Sequence, residues 1–176
     1  FGTAGSITLS SYATATAIEV ATDDSILIAG YKTNSATGYQ EFAVLRLLAA
    51  GAFDTSFSGD GVATVDVGAR SDQGLALAIQ SDGKILIAGQ ADNGVNNDFG
   101  LIRLNADGSL DTTFSVDGIL MTPMGTGIDF ARSVAVQADG KIVVGGTSNG
   151  DFALARYAAD GTLDTTFAGD GTLVLV

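Results

Sequence analysis

The sequence predicts an all-β fold, a β-propeller-like array of three four-stranded antiparallel blades plus one surplus outer strand. Two observations carry that expectation. The phrase FDTSFSGDG at 53–61 returns as LDTTFSVDG at 110–118 and LDTTFAGDG at 163–171, and its phenylalanine recurs at Phe1, Phe57, Phe114 and Phe167, spaced by 56, 57 and 53 residues. Between these points lie short apolar runs separated by Asp-Gly pairs, with no sustained helical period and with Pro123 as the only proline. Sheets of four short strands at about this repeat length stack radially and bury both faces against their neighbours. A right-handed β-solenoid is the alternative architecture, but its coils are much shorter. The chain reads as one repeat domain, with units at about 1–56, 57–113 and 114–166 and a further repeat starting over 167–176.

The elements of a unit follow in order. In the first strand, Leu75–Gln80 or Ser133–Gln137, large and small side chains alternate, so that Leu75, Leu77 and Ile79 face one way and Ala76 and Ala78 the other. An Asp-Gly turn leads into the second strand, in TDDSILIAG at 22–30, SDGKILIAG at 81–89 and ADGKIVVGG at 138–146. Its continuous apolar character implies cover on both sides. The third strand is FAVLRL at 42–47, FGLIRL at 99–104 and FALARY at 152–157. Another Asp-Gly turn, such as Asp107-Gly108, precedes the motif, and the fourth strand follows it at Gly61–Val67 or Gly171–Val176. The first unit departs from this pattern. Asp24-Ser25 replaces Gly-Lys, and Leu48-Ala49-Ala50-Gly51 lacks the Asp-Gly pair, which puts the turn geometry of that blade in question.

QADGKIVVGG, DFALARYAADGTLDTTF and the closing GDG resemble the bacterial delta-60 repeat family over essentially the whole chain, and more distantly they are similar to NHL-type propellers. The NHL likeness implies that the strand near Leu75 is innermost and the one beginning at Gly61 outermost. The delta-60 likeness implies a bacterial surface or secreted setting. FGTAG at Phe1–Gly5 reads as the motif without its first half, which starts the chain inside a repeat and leaves Gly5–Ser10 as the surplus strand. Propellers close with four to eight blades, and three alone expose two broad apolar faces. Completion is therefore expected from a second copy, from further blades, or from an open head-to-tail stack.

Composition narrows function by exclusion. Of the 176 residues 46% are hydrophobic and only 16% charged, with 24 glycines, which favours a folded, turn-rich β protein over a disordered chain. The net charge of -12 disfavours nucleic acid and anionic lipid surfaces. Without cysteine or histidine, the usual zinc and copper sites, thiol chemistry and histidine-based triads are closed off. No apolar run approaches the roughly 18 residues of a membrane helix, so membrane insertion is not expected.

Each repeated polar feature has a structural reading and a functional one. Arg46, Arg103 and Arg156 sit on otherwise apolar strand faces, and each has an aspartate eight residues on, at Asp54, Asp111 and Asp164. Copied into every blade, these pairs read as structural clips. The motif phenylalanine reads as a plug between blades. Asn105, Asp107 and Asp111 place oxygens at alternate positions around an Asp-Gly, a partial calcium loop, but the closing bidentate glutamate is missing and a hairpin turn explains them better. No other cofactor is expected. A carboxylate pair for polysaccharide chemistry reduces to Asp23-Asp24, which occupies a turn. The loops YKTNSATGYQE at 31–41, QADNGVNND at 90–98 and TSNGD at 147–151 differ between units and emerge at one rim. A glycan- or protein-binding site there would draw on Tyr31, Asn34, Tyr39, Arg70, Asp92, Asn96 and Asn97. The leading expectation is a non-enzymatic extracellular or cell-surface assembly module that associates with itself through exposed blade faces, into a filament or surface appendage. The rim binding module and a carboxylate enzyme are the rivals.

Overall fold

The computed structural model describes residues 5–6 and 13–175. The motif residue Phe1 and most of the surplus strand Gly5–Ser10 lie outside the described residues. In chain order the strands are β1 (Ala13–Val20), β2 (Ile26–Thr33), β3 (Gln40–Leu47), β4 (Val62–Val65), β5 (Gln73–Ile79), β6 (Ile85–Asp92), β7 (Asn97–Leu104), β8 (Ile119–Thr122), β9 (Asp129–Val136), β10 (Ile142–Ser148), β11 (Asp151–Tyr157) and β12 (Thr172–Leu175). They form three four-stranded antiparallel sheets, β1–β4, β5–β8 and β9–β12, and the described residues contain no helix. This is the all-β, three-blade propeller-like arrangement expected. β5 packs on β1, β2 and β3, and β9 packs on β5, β6 and β7, which gathers the first strands where the blades converge. A blade is offset from a sequence unit, because each takes its short fourth strand from beyond the next motif phenylalanine.

A bulge in each first strand sets the local geometry. Pairing slips by one residue between Ala15 and Ala17, between Gly74 and Ala76, and where Gly145 and Gly146 face Ser133 and Ala131. The simple alternation expected from Leu75 therefore holds only from Leu77 onward. Leu77 and Ile79 join the core toward the first blade, while Leu75 is the extra residue and belongs to neither core cluster. The bulge also drives a carbonyl against the second strand. A Cβ at Gly30, Gly89 or Gly146 would stand 1.8 Å from the oxygen of Thr14, Gln73 or Phe130, so only glycine fits there. That contact accounts for the glycine closing ILIAG and IVVGG in every unit.

The Asp-Gly turns are three-residue hairpin loops, in which a turn is closed by a left-handed residue. Gln80 N–H donates to Lys84 O at 2.8 Å and Gly83 N–H to Gln80 O at 2.9 Å, with Gly83 at φ 84°. The first blade keeps this geometry despite its different residues. Ala21 N–H donates to Ser25 O, Asp24 N–H donates to Ala21 O, and Asp24 itself adopts φ 62°. Gly51, at φ 90°, does the same for the turn at 48–52 without any aspartate.

Burial explains why the second strand is apolar throughout. Along β6, Ile85 and Ile87 join Leu27, Ala29, Phe42 and Val44 of the first blade, whereas Leu86 and Ala88 join Val134, Val144 and Ala155 of the third. The middle blade is thus covered on both faces. Phe42 crosses from the first blade to the second, and its Cζ lies 2.9 and 3.0 Å from where a Cβ would sit on Gly89 and Gly100. At the other junction the buried Tyr157 hydroxyl is 2.8 Å from Thr122 Oγ1, and burial pushes its pKa up to about 12.

Asp24 holds a left-handed conformation that glycine adopts freely at the corresponding Gly83 and Gly140. Asp24→Gly should therefore stabilise the chain by about 1 kcal/mol, read as a higher urea midpoint at unchanged slope.

Candidate functional site

The repeated polar residues converge on the junctions between blades. Arg103 Nε and Lys84 Nζ each lie 2.6 Å from Asp111 Oδ2, while Asp111 Oδ1 accepts from Thr113 N–H and Oγ1–H. In the third blade Arg156 Nε is 2.8 Å and Lys141 Nζ 3.0 Å from Asp164 Oδ2. The first blade has no such lysine. There Arg46 lies 3.2 Å from Asp54, out of hydrogen-bond alignment, and donates instead to Asp23 at 2.7 Å. The lysine is a second cationic partner that the Arg–Asp spacing by itself does not reveal. Its signal was the lysine after the Asp-Gly pair, present in two units and replaced by Ser25 in the first.

Burial alone would raise the Asp111 pKa, but the bonds from Lys84, Thr113 and Arg103 hold it well below the ordinary carboxylate range. Thr166 and Lys141 do the same at Asp164.

From each clip the contacts reach forward to the next blade. Arg46 Nη1 donates to Ala106 O at 2.9 Å and Arg103 Nη1 to Ala159 O at 2.6 Å. Phe57 and Phe114 are wholly buried, each against the left-handed glycine of the following blade's turn, Gly108 and Gly161. The next residue completes the latch. Ser58 N–H donates to Asp107 O and Ser115 N–H to Asp160 O, both from left-handed backbone at φ 52° and 51°. Phe114 also lies under the Arg103 guanidinium, 4.4 Å from ring centre to Cζ. The motif is therefore an inter-blade latch as well as a turn.

The variable loops share one rim. Ala69 N–H bonds Asp92 O, Asp72 N–H bonds Gln40 O, and Asn96 reaches the Gly127 carbonyl. Most of the polar rim residues are occupied by the fold itself. Asn34 binds Glu41 and caps its own turn, Asp92 Oδ1 accepts from Gly94 N–H, and Asn97 donates to Gln90. Tyr39 and Arg70 are exposed on the rim, and Tyr31 is half-buried in β2. Sequence reasoning passed over Asp72, a buried carboxylate that accepts from the N–H groups of Val67, Gly68 and Asp92 and so closes its own loop and ties it to the end of β6. Burial raises its pKa despite those bonds.

In this structure the residues of the partial calcium loop are engaged by protein groups. Asp107 Oδ1 accepts from Ser109 twice, Asp111 faces two cations, and the Asn105 amide donates to Ser109 and Leu110. Among the described residues no group of three or more acidic side chains is placed to hold a metal ion.

A family model described as "Domain of unknown function (DUF5122) beta-propeller" matches residues 21–57, 80–114 and 137–167, more than half of the chain. The chain belongs to the DUF5122 β-propeller family. Each matched DUF5122 segment holds one second strand, one third strand and one Arg–Asp clip, and ends on the motif phenylalanine, Phe57, Phe114 or Phe167. No curated protein matches the chain.

Asp111→Asn would leave Arg103 and Lys84 facing no counter-charge, at a cost of about 3–5 kcal/mol in urea unfolding at pH 7. Because the folded pKa of Asp111 is depressed, its contribution is present above the unfolded value of about 3.9 and is lost as pH falls toward the folded one. The stability gap between the parent and Asp111→Asn should accordingly narrow below about pH 4.

Proposed function

We propose that this chain is a non-enzymatic structural module that associates with itself through the outward faces of its terminal blades, in a secreted or cell-surface setting. One observation carries the reading. The outward face of the first blade exposes Ile18 at 65% and Val20 at 61%, and that of the third exposes Phe152 at 75% and Leu175 at 55%. Apolar patches of that kind on a soluble β protein mark interaction surfaces. The middle blade, with both faces covered by neighbours, is the internal standard for what such faces bind.

Two further points support this reading. Among the described residues twelve aspartates accept the backbone N–H two residues on, so the acidic side chains are largely committed to turns. The repeated phrases also support the finer assignment to delta-60-type repeats, and with it the bacterial surface setting and a filament or appendage as the end product. Sedimentation velocity across a concentration series tests the reading. Species of two or more copies are expected, and a compact monomer at every concentration would sink it.

A further inference from the structure

The two outward faces are unlike, and each matches one half of the internal junctions. At the first junction the half-facing forward carries Phe42, and the half-facing back carries the glycine-floored hole of Gly89 on β6 and Gly100 on β7. At the second junction Phe99 is buried in one cluster with Ala153, and the corresponding floor is Gly146 and Ala153. By strand register Phe152 is the third forward phenylalanine, and Gly30 with Ala43 is the third hole, with the same glycine and alanine as Gly146 and Ala153. A half-open cavity of about 360 Å³ lies there, whose lining includes Ile28, Gly30, Ala43, Leu45 and Val62 together with the charged Lys32 and Asp60, and its floor is recessed, with Ala43 and Leu45 only 9% and 6% exposed.

The rest of the latch is also held ready on the third blade. Arg156 keeps its Asp164 partner, and Phe167 lies 4.9 Å beneath it as Phe114 lies beneath Arg103. Ala168 adopts φ 54°, the strained conformation that Ser58 and Ser115 use to bond the following blade. The matching carbonyls on the first blade are those of Ala49 and Ala50.

We infer that the third blade of one copy docks on the first blade of a second copy, with Phe152 seated in the hole floored by Gly30 and Ala43. This rests on the self-association proposed above and specifies its partner and polarity. The contact is heterologous, so two copies close into a six-blade ring or further copies extend into a stack.

Phe152→Lys removes the knob and leaves the hole, whereas Ala43→Leu fills the hole and leaves the knob. Each variant alone should sediment as a monomer where the parent assembles, with at least about a 100-fold loss of affinity. An equimolar mixture retains a single productive contact and should form a dimer and nothing larger. Circular dichroism matching the parent establishes folding, and Phe152→Ala carries the same expectation if the lysine variant misfolds. Variants that assemble as the parent does would overturn this contact while leaving self-association intact, and two folded variants that do not pair would overturn its polarity. A parent that is monomeric throughout would overturn both readings.

Discussion

The structure depends on the insertion of an aromatic ring from one blade into a floor of glycine and alanine on the next. A four-stranded sheet with two apolar faces cannot be stable in water by itself. Phe42 can bridge from the first blade to the second only because Gly89 and Gly100 leave room, and Gly89 is fixed independently by the bulge that presses Gln73 O against it. The same glycine thus relieves a crowding within its own sheet and opens a site for the neighbour. Local strand geometry and blade stacking are therefore one constraint, and a side chain added there would disturb both.

Electrostatics follows from the turns more than from any site. A blade of short strands needs many tight connections, and aspartate meets that need by accepting the N–H two residues on. Repeated three times, this chemistry produces much of the net charge of -12. The arginine and lysine side chains are drawn to those same carboxylates, at Asp111 and Asp164 above all. Asp72 works in the opposite sense. With its pKa raised by burial, its contribution to stability declines as pH rises from the unfolded carboxylate value through the folded one, so the clip carboxylates Asp111 and Asp164 and the rim carboxylate Asp72 set opposing slopes.

The repeats, the strand count and the partnership of Arg103 with Asp111 were legible because each is written three times at fixed spacing. The bulges were not, since one extra residue at Thr16 or Leu75 leaves the sequence looking like plain alternation. Nor was the persistence of the first blade's turns, where the backbone hydrogen bonds impose φ 62° on Asp24 regardless of its side chain. The rim residues illustrate a different limit. Asn34, Asn96 and Asn97 looked available because loops that vary suggest exposure, yet their amides are engaged within the loops or across to the next blade. Composition identifies polar groups, and only geometry shows which of them are already satisfied.

The asymmetry of a blade restricts how copies can meet. A forward face carries a protruding ring and a back face carries the small-residue floor, so two forward faces would oppose Phe152 to Phe152 with no recess for either. Two back faces would leave a void between Gly30 and its counterpart, and unfilled volume between packed sheets forfeits the dispersion that stabilises them. A symmetric face-to-face dimer is disfavoured on both counts. Only a forward face against a back face would reproduce the contacts of the internal junctions, and with that polarity one chain would supply both partners of the assembly proposed above.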